Sequence, residues 1–198
     1  MDVAAHIEAA YSEVCSLLPA LPTDIRFELE PSVIVPGWGV GGFCLASDRI
    51  LIGVDASLDE AFLASRLRAA VFHECFHVAQ GHTFERVGAT ALEPLHVAVW
   101  EGCATVFERD RAASDSPWAQ YLDDATMLAW AHELAALPPQ NVAKLTRWLF
   151  WDPVTQRQHV IYRTGTFLVD RVLADAGVQI EALASWSAEE ILAAAALA

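Results

Sequence analysis

His73, Glu74 and His77 stand inside an apolar run, and that run constrains the chain more than any other stretch. Ala69, Ala70, Val71 and Phe72 precede the motif, and Phe76, Val78 and Ala79 flank or follow its second histidine. A helix apolar nearly all round is predicted to be buried. Two imidazoles and a carboxylate in such a helix are costly unless something satisfies them. Histidines four residues apart are turned by only about 40° on a helix of 3.6 residues per turn, so both rings reach one ion. Glu74 points to the same side. The bland alternative is a hydrogen-bonded polar cluster in the core. The sharper reading is a metal-assisted hydrolase: two ligands, and one carboxylate beside a water.

A catalytic Zn2+ usually takes three protein ligands and keeps a fourth position open. Glu101 is the leading third candidate. It sits in an apolar helical stretch after Val97, Ala98, Val99 and Trp100, and begins Glu101-Gly102-Cys103-Ala104-Thr105. A lone carboxylate there invites a cation, and the small Gly102 and Ala104 permit close approach to the site helix. His82 and His96 are rivals. His82 follows Gly81 and needs its loop to fold back, and His96 lies on a different face from Glu101.

Composition removes some function classes. The chain has 198 residues and a net charge of −14, from 12 basic and 26 acidic residues. Such a surface repels phosphate backbones and anionic headgroups, so nucleic acid and membrane surfaces are set aside as partners. Charge at this level first means solubility; a mild preference for basic substrates is the sharper reading. No segment approaches the roughly 20 apolar residues of a membrane span. Met1 to Tyr11 lacks the features of a signal peptide. The four cysteines, Cys15, Cys44, Cys75 and Cys103, lack paired CxxC spacing and read as reduced thiols. The expectation is a cytoplasmic protein; the sequence carries no signal for its oligomeric state.

The pattern along the chain predicts an α+β fold. Val3 to Leu18 has helical spacing and stops at Pro19. Ile25 to Glu30 alternates like a strand. Pro31, Pro36, Gly37, Gly39, Gly41 and Gly42 then break the chain. Phe43 to Leu45 and Ile50 to Val54 form a hairpin around the turn Ala46 to Arg49. Ser57 and Glu60 make a capping-box pattern for the site helix, which starts near Leu58 and stops at Gly81. Further helices are expected from Pro94 to about Arg111, from Ser116-Pro117 to about Leu137, and through Trp148 after Pro138-Pro139. Another runs from about Arg157 to Ala176, stopped by Gly177, and a last one follows Ser187 and Glu190. The whole is one domain, with a small N-terminal antiparallel sheet packed on the site helix (sublobe 1–82) and a mostly helical remainder (83–198).

The combination of His73-Glu74-Cys75-Phe76-His77 with a downstream Glu101-Gly102-Cys103-Ala104 helix resembles the gluzincin clan of zinc metallopeptidases. Within that clan it most resembles a compact group of predicted zinc-dependent proteases. The resemblance runs from about Gly41 to Gly165 and includes the hairpin from Gly41 to Val54 and a later Tyr162-Arg163-Thr164-Gly165. It departs from the clan in a longer gap between His77 and Glu101. It departs also at Thr105, where some relatives carry an aspartate that orients a ligand histidine. The resemblance implies a zincin-like fold, zinc on His73, His77 and Glu101, and Glu74 as general base. It implies Tyr162 as the donor to the developing oxyanion; His159, one turn earlier on the same face, is the runner-up.

The hairpin gives the cleft an edge strand to which an extended peptide can add, which favours a peptide or protein substrate. Val35 to Leu45 holds no acidic residue suited to a free amino terminus, which favours an endopeptidase over an aminopeptidase. Two alternatives share the ligands: a zinc hydrolase of a non-peptide amide or ester, and a protein that keeps zinc without turnover. Glu74 argues against the second, since a structural site has no need of it. Cys75 and Cys103 read as packing. Trp148, Phe150 and Trp151 are expected to pack the C-terminal helices or to line a substrate wall.

Overall fold

The computed structural model describes residues 2–196. Helix α1 (Val3–Leu17) opens the chain, capped by the Asp2 carboxylate, which accepts from the Ala5 amide. Strands β1 (Arg26–Leu29), β2 (Val40–Ala46) and β3 (Arg49–Val54) follow, then α2 (Glu60–Gln80) and the short α3 (Phe84–Val87). Next come α4 (Pro94–Ala112), α5 (Asp124–Ala135) and α6 (Val142–Leu149). A two-stranded ribbon of β4 (Trp151–Asp152) and β5 (Arg157–Gln158) precedes α7 (Val160–Ala176) and α8 (Ala188–Ala194). The fold is α+β, with its main sheet near the N-terminus and a mostly helical C-terminal half. Among the described residues no helix is long and apolar enough to cross a membrane.

The chain divides into two compact units. One holds the residues up to Arg86 together with Phe107–Ser114; the other holds Val87–Val106 together with the residues from Asp115 on.

In the first unit the sheet order is β1-β3-β2. The β2–β3 hairpin is antiparallel, as expected, but β1 pairs with β3 in parallel, so the sheet is mixed. Ile50 and Ile52 on the central strand are fully buried, each stabilising the fold by about 1.5–3 kcal/mol. Helix α1 buries Ile7, Ala10 and Val14, one stripe at helical spacing, and packs against α2. Helix α2 also packs on β2. The Arg66 guanidinium lies 3.8 Å from the Trp38 ring and 3.9 Å from that of Phe62, and it donates to the Trp38 carbonyl. That stack ties the loop ahead of β2 to the first turns of α2.

Strand β2 starts earlier than the sequence reading placed it. Gly41 and Gly42 do not break the chain; they pair with Gly53 and Ile52 of β3. Their missing side chains serve close packing on both faces. A Cβ on Gly41 would stand 1.9 Å from the Val33 carbonyl oxygen, and one on Gly42 would stand 2.4 Å from Glu74 Cγ. The start of α2 is also corrected. Asp59, not Ser57, is its N-cap, accepting from the amides of Ala61 and Phe62. Ser57 instead donates its amide and hydroxyl to Asp55 in the preceding turn. Gly81 ends α2 in the left-handed conformation at φ 68°, as its sequence position implied.

In the second unit α7 packs against α5, α6 and α8. Ser116-Pro117 opens a turn rather than a helix; α5 starts at Asp124 because the Asp123 carboxylate caps it through the Thr126 amide. Arg157 belongs to the β4–β5 ribbon, and α7 starts only after His159, whose φ of 54° turns the chain into the helix. Trp148 is buried, as a packing residue would be, whereas Phe150 and Trp151 are 42% and 45% exposed. Ser187 and Glu190 form the expected capping box on α8.

Candidate metal centre

Helix α2 is apolar through its last three turns, and the buried polar side chains there are those of the motif. His73 is 8%, Glu74 7% and His77 4% exposed. One helical turn brings the two rings edge to face, with their centroids 4.9 Å apart. Their Nε2 atoms face each other at 3.2 Å. Two zinc–nitrogen bonds of 2.0–2.1 Å at a tetrahedral angle put their nitrogens about 3.3 Å apart. The pair therefore has the spacing of two ligands of one zinc ion.

The other nitrogen of His73 is held from α4. His73 Nδ1 lies 3.0 Å from Glu108 Oε2, and Glu108 is itself buried. Carboxylates that orient a metal-binding imidazole in this way are common partners of such sites. The position where some members of the resembled clan carry such a carboxylate, 105, is a threonine here. The Thr105 hydroxyl is buried and makes no hydrogen bond among the described residues. Glu108 lies one turn further along the helix. A signal was present: an acidic residue seven positions after Glu101, two turns on and so on the same face.

That spacing also locates Glu101. It is half-buried on α4, on the face that carries Glu108. One ligand atom each from His73, His77 and Glu101 lies within 4.8 Å of the others, a group that could hold a metal ion. The donor set, two imidazole nitrogens and a carboxylate oxygen, suits zinc.

Among the rivals, His82 does fold back after Gly81. Its ring centroid is 5.3 Å from that of His77, and its amide donates to the His77 carbonyl. His96 is turned elsewhere, with its ring nitrogens 3.3 Å from Glu93 and 3.8 Å from Glu189. Cys75 is fully buried. Burial, then its neighbours Cys15, Glu74 and Cys44, push its thiol well above the ordinary range, which leaves it an inert packing residue.

Two more features flank these groups within their own units. Glu74 rests against the backbone of β2 at Gly42. Gly102, beside Glu101, makes a close approach to α7: a Cβ on Gly102 would stand 2.2 Å from the Gly165 carbonyl carbon. Tyr162 lies one turn before Gly165 on α7, half-buried, with its ring 6.1 Å from Trp118 and 6.3 Å from His159. His159 Nδ1 is 3.1 Å from the Leu149 carbonyl. Burial lowers its pKa below the usual histidine value; the Leu149 bond opposes this and the nearby Arg163 charge adds to it.

A family model described as Predicted Zn-dependent protease (DUF2268) matches residues 3–193. The chain belongs to that family. The match spans nearly the whole length, both units included, and the family description agrees with a zinc-type donor set on α2 and α4. No curated protein and no solved structure matches the chain.

Proposed function

We propose that this member of the Zn-dependent protease family is a peptidase, more specifically an endopeptidase, that holds zinc on His73, His77 and Glu101. The observation that carries the reading is the pair of imidazole nitrogens 3.2 Å apart in a buried helix, with Glu74 between them in sequence. Zinc, when bound, acidifies a water molecule and draws electron density from a carbonyl. Glu74 accepts the proton of the attacking water and delivers it to the leaving nitrogen as the peptide bond breaks. Its burial against Gly42 fixes the carboxylate for that transfer.

Tyr162 rather than His159 is the oxyanion donor in this reading. A neutral imidazole carries one N–H, and His159 gives it from Nδ1 to the Leu149 carbonyl. Its Nε2 is then an acceptor, unsuited to an oxyanion. The Tyr162 hydroxyl can donate.

The register of β2 supports a peptide substrate. The Asp55 amide donates to the Gly39 carbonyl, and Gly41 and Phe43 lie opposite Gly53 and Leu51. Antiparallel pairs alternate between bonded and non-bonded. Gly41 and Phe43 therefore bond to β3, while Val40 and Gly42 direct their main-chain groups to the other side of β2, an edge of the sheet. An extended peptide can pair there, beside Glu74. With no acidic side chain in Val35 to Leu45, nothing in this stretch selects for a free amino terminus.

The test combines metal analysis with cleavage profiling of a peptide mixture by mass spectrometry. The parent protein is expected to carry one zinc and to cut internal bonds, blocked amino termini notwithstanding. Glu74→Gln is expected to keep zinc and lose cleavage by about 10²-fold or more. Parent-rate cleavage by that variant, or a parent protein that takes up no zinc, overturns the reading.

A further inference from the structure

We infer that Ser114 is a positioning residue for the metal centre, acting through Glu108 on the imidazole of His73. The inference rests on the zinc reading above and extends it to the chain that follows α4. Helix α4 ends at Ala112, and Ala113 adopts φ 53°, a conformation uncommon for any residue but glycine. That residue turns the chain back on the helix end. Ser114 then reaches Glu108, and its hydroxyl donates to Oε1 at 2.6 Å. The other oxygen, Oε2, lies 3.0 Å from His73 Nδ1. All of these residues belong to the first unit.

The arrangement has a chemical consequence for the ring. Glu108 has two carboxylate oxygens and two partners, one at each. An ionised carboxylate only accepts hydrogen bonds, so the proton of the neutral His73 ring resides on Nδ1. Nε2 is left as a lone pair, aimed at the side where His77 Nε2 stands. That is the tautomer a metal needs, and the identity of the second-nitrogen partner sets it. Without Ser114, Oε1 is a buried acceptor with no donor, and the carboxylate is free to turn away from the ring. A left-handed alanine whose effect is to bring a hydroxyl to this carboxylate is strain with a use.

Two readouts test the idea on the full chain, one with metal and one without. In metal-free protein, imidazole nitrogen-15 shifts report the tautomer. His73 is expected as the Nδ1–H form in the parent, and Ser114→Val is expected to mix in the Nε2–H form. In zinc competition against a chromophoric chelator, Ser114→Val is expected to bind about tenfold more weakly, the lower end of what such outer partners contribute. Ser114→Thr, branched like valine but with the hydroxyl retained, is expected to restore both tautomer and affinity. Circular dichroism confirms that each variant folds. A Ser114→Val protein with parent tautomer and parent affinity, or a threonine variant as weak as valine, overturns the inference. A parent protein that binds no zinc overturns the function proposed above, and the tautomer readout still decides the role of Ser114.

Discussion

Gly42 of β2 passes so close to Glu74 of α2 that a Cβ at Gly42 would stand 2.7 Å from Glu74 Oε1 and 2.9 Å from its carboxyl carbon. The edge strand and the proposed base are thus fitted to each other at a distance only glycine allows. The obstacle is a side-chain end and not backbone, so Gly42→Ala is expected to fold, with a loss of about 1–3 kcal/mol from overpacking. Its carboxylate must move, and peptide cleavage is expected to fall at least tenfold while zinc content stays at the parent level. A Gly42→Ala enzyme with parent kcat shows that the position of Glu74 is not tuned by β2.

Tyr162 and His159 share one end of α7, and their substitution separates them. Tyr162→Phe is expected to lower kcat by about 10²–10³-fold, the usual effect of removing one oxyanion donor. KM and zinc content are expected to change little, since the interaction arises only as charge develops. His159→Asn, which keeps a residue suited to the left-handed conformation, is expected to cost less than tenfold. Steady-state kinetics on a single fluorogenic peptide distinguish the two, and the opposite ranking assigns the role to His159.

The sequence made the α2 pair legible because the i, i+4 spacing, the apolar flanks and the Gly81 stop all point to one buried helix. The α+β order was legible for the same reason: each element carries its own period. What stayed hidden depends on contacts between elements. The glycines at 41 and 42 looked like breakers because their neighbours, Val33 and Glu74, are distant in sequence. Ser57 looked like a cap because its spacing to Glu60 is right, but Asp55 takes its hydroxyl and Asp59 takes the helix amides. Glu108 is not marked by the clan pattern, in which the orienting carboxylate stands at position 105. The helix face repeats at seven residues as well as at four, and only the position of His73 says which turn is used.

His159 gives the protein an acid-sensitive contact outside the ligand set. Its folded pKa is lowered from 6.5, with burial the largest cause. The unfolded chain then takes up the proton more readily than the folded one. The contribution of this group to stability is full above about pH 6.5, its unfolded value, and declines as pH falls through the lower folded value. An NMR titration is expected to place the His159 midpoint below 6.5. Urea melts are expected to show a pH dependence in that window that His159→Asn reduces. A His159 midpoint above its unfolded value reverses the predicted sign.

The α4–α7 crossing supplies the last prediction. Gly165 approaches α4 so closely that a Cβ there would stand 1.7 Å from the Ala98 carbonyl oxygen, and the backbones of Gly102 and Gly165 face each other at the same point. Both obstacles are main chain, so neither can be relieved by a rotamer change, and the helices must separate. Gly165→Ala is expected to destabilise the protein by about 3 kcal/mol, the upper end for a small overpacking change, read as a lower urea midpoint with little change in slope. Gly102→Ala strikes the same contact from the other helix. Once one alanine has pushed the helices apart, the second has less to displace, so the double variant is expected to cost clearly less than the two single losses combined. Fully additive losses mean that the two glycines are felt separately, and that α4 and α7 do not meet at a single point beside Glu101.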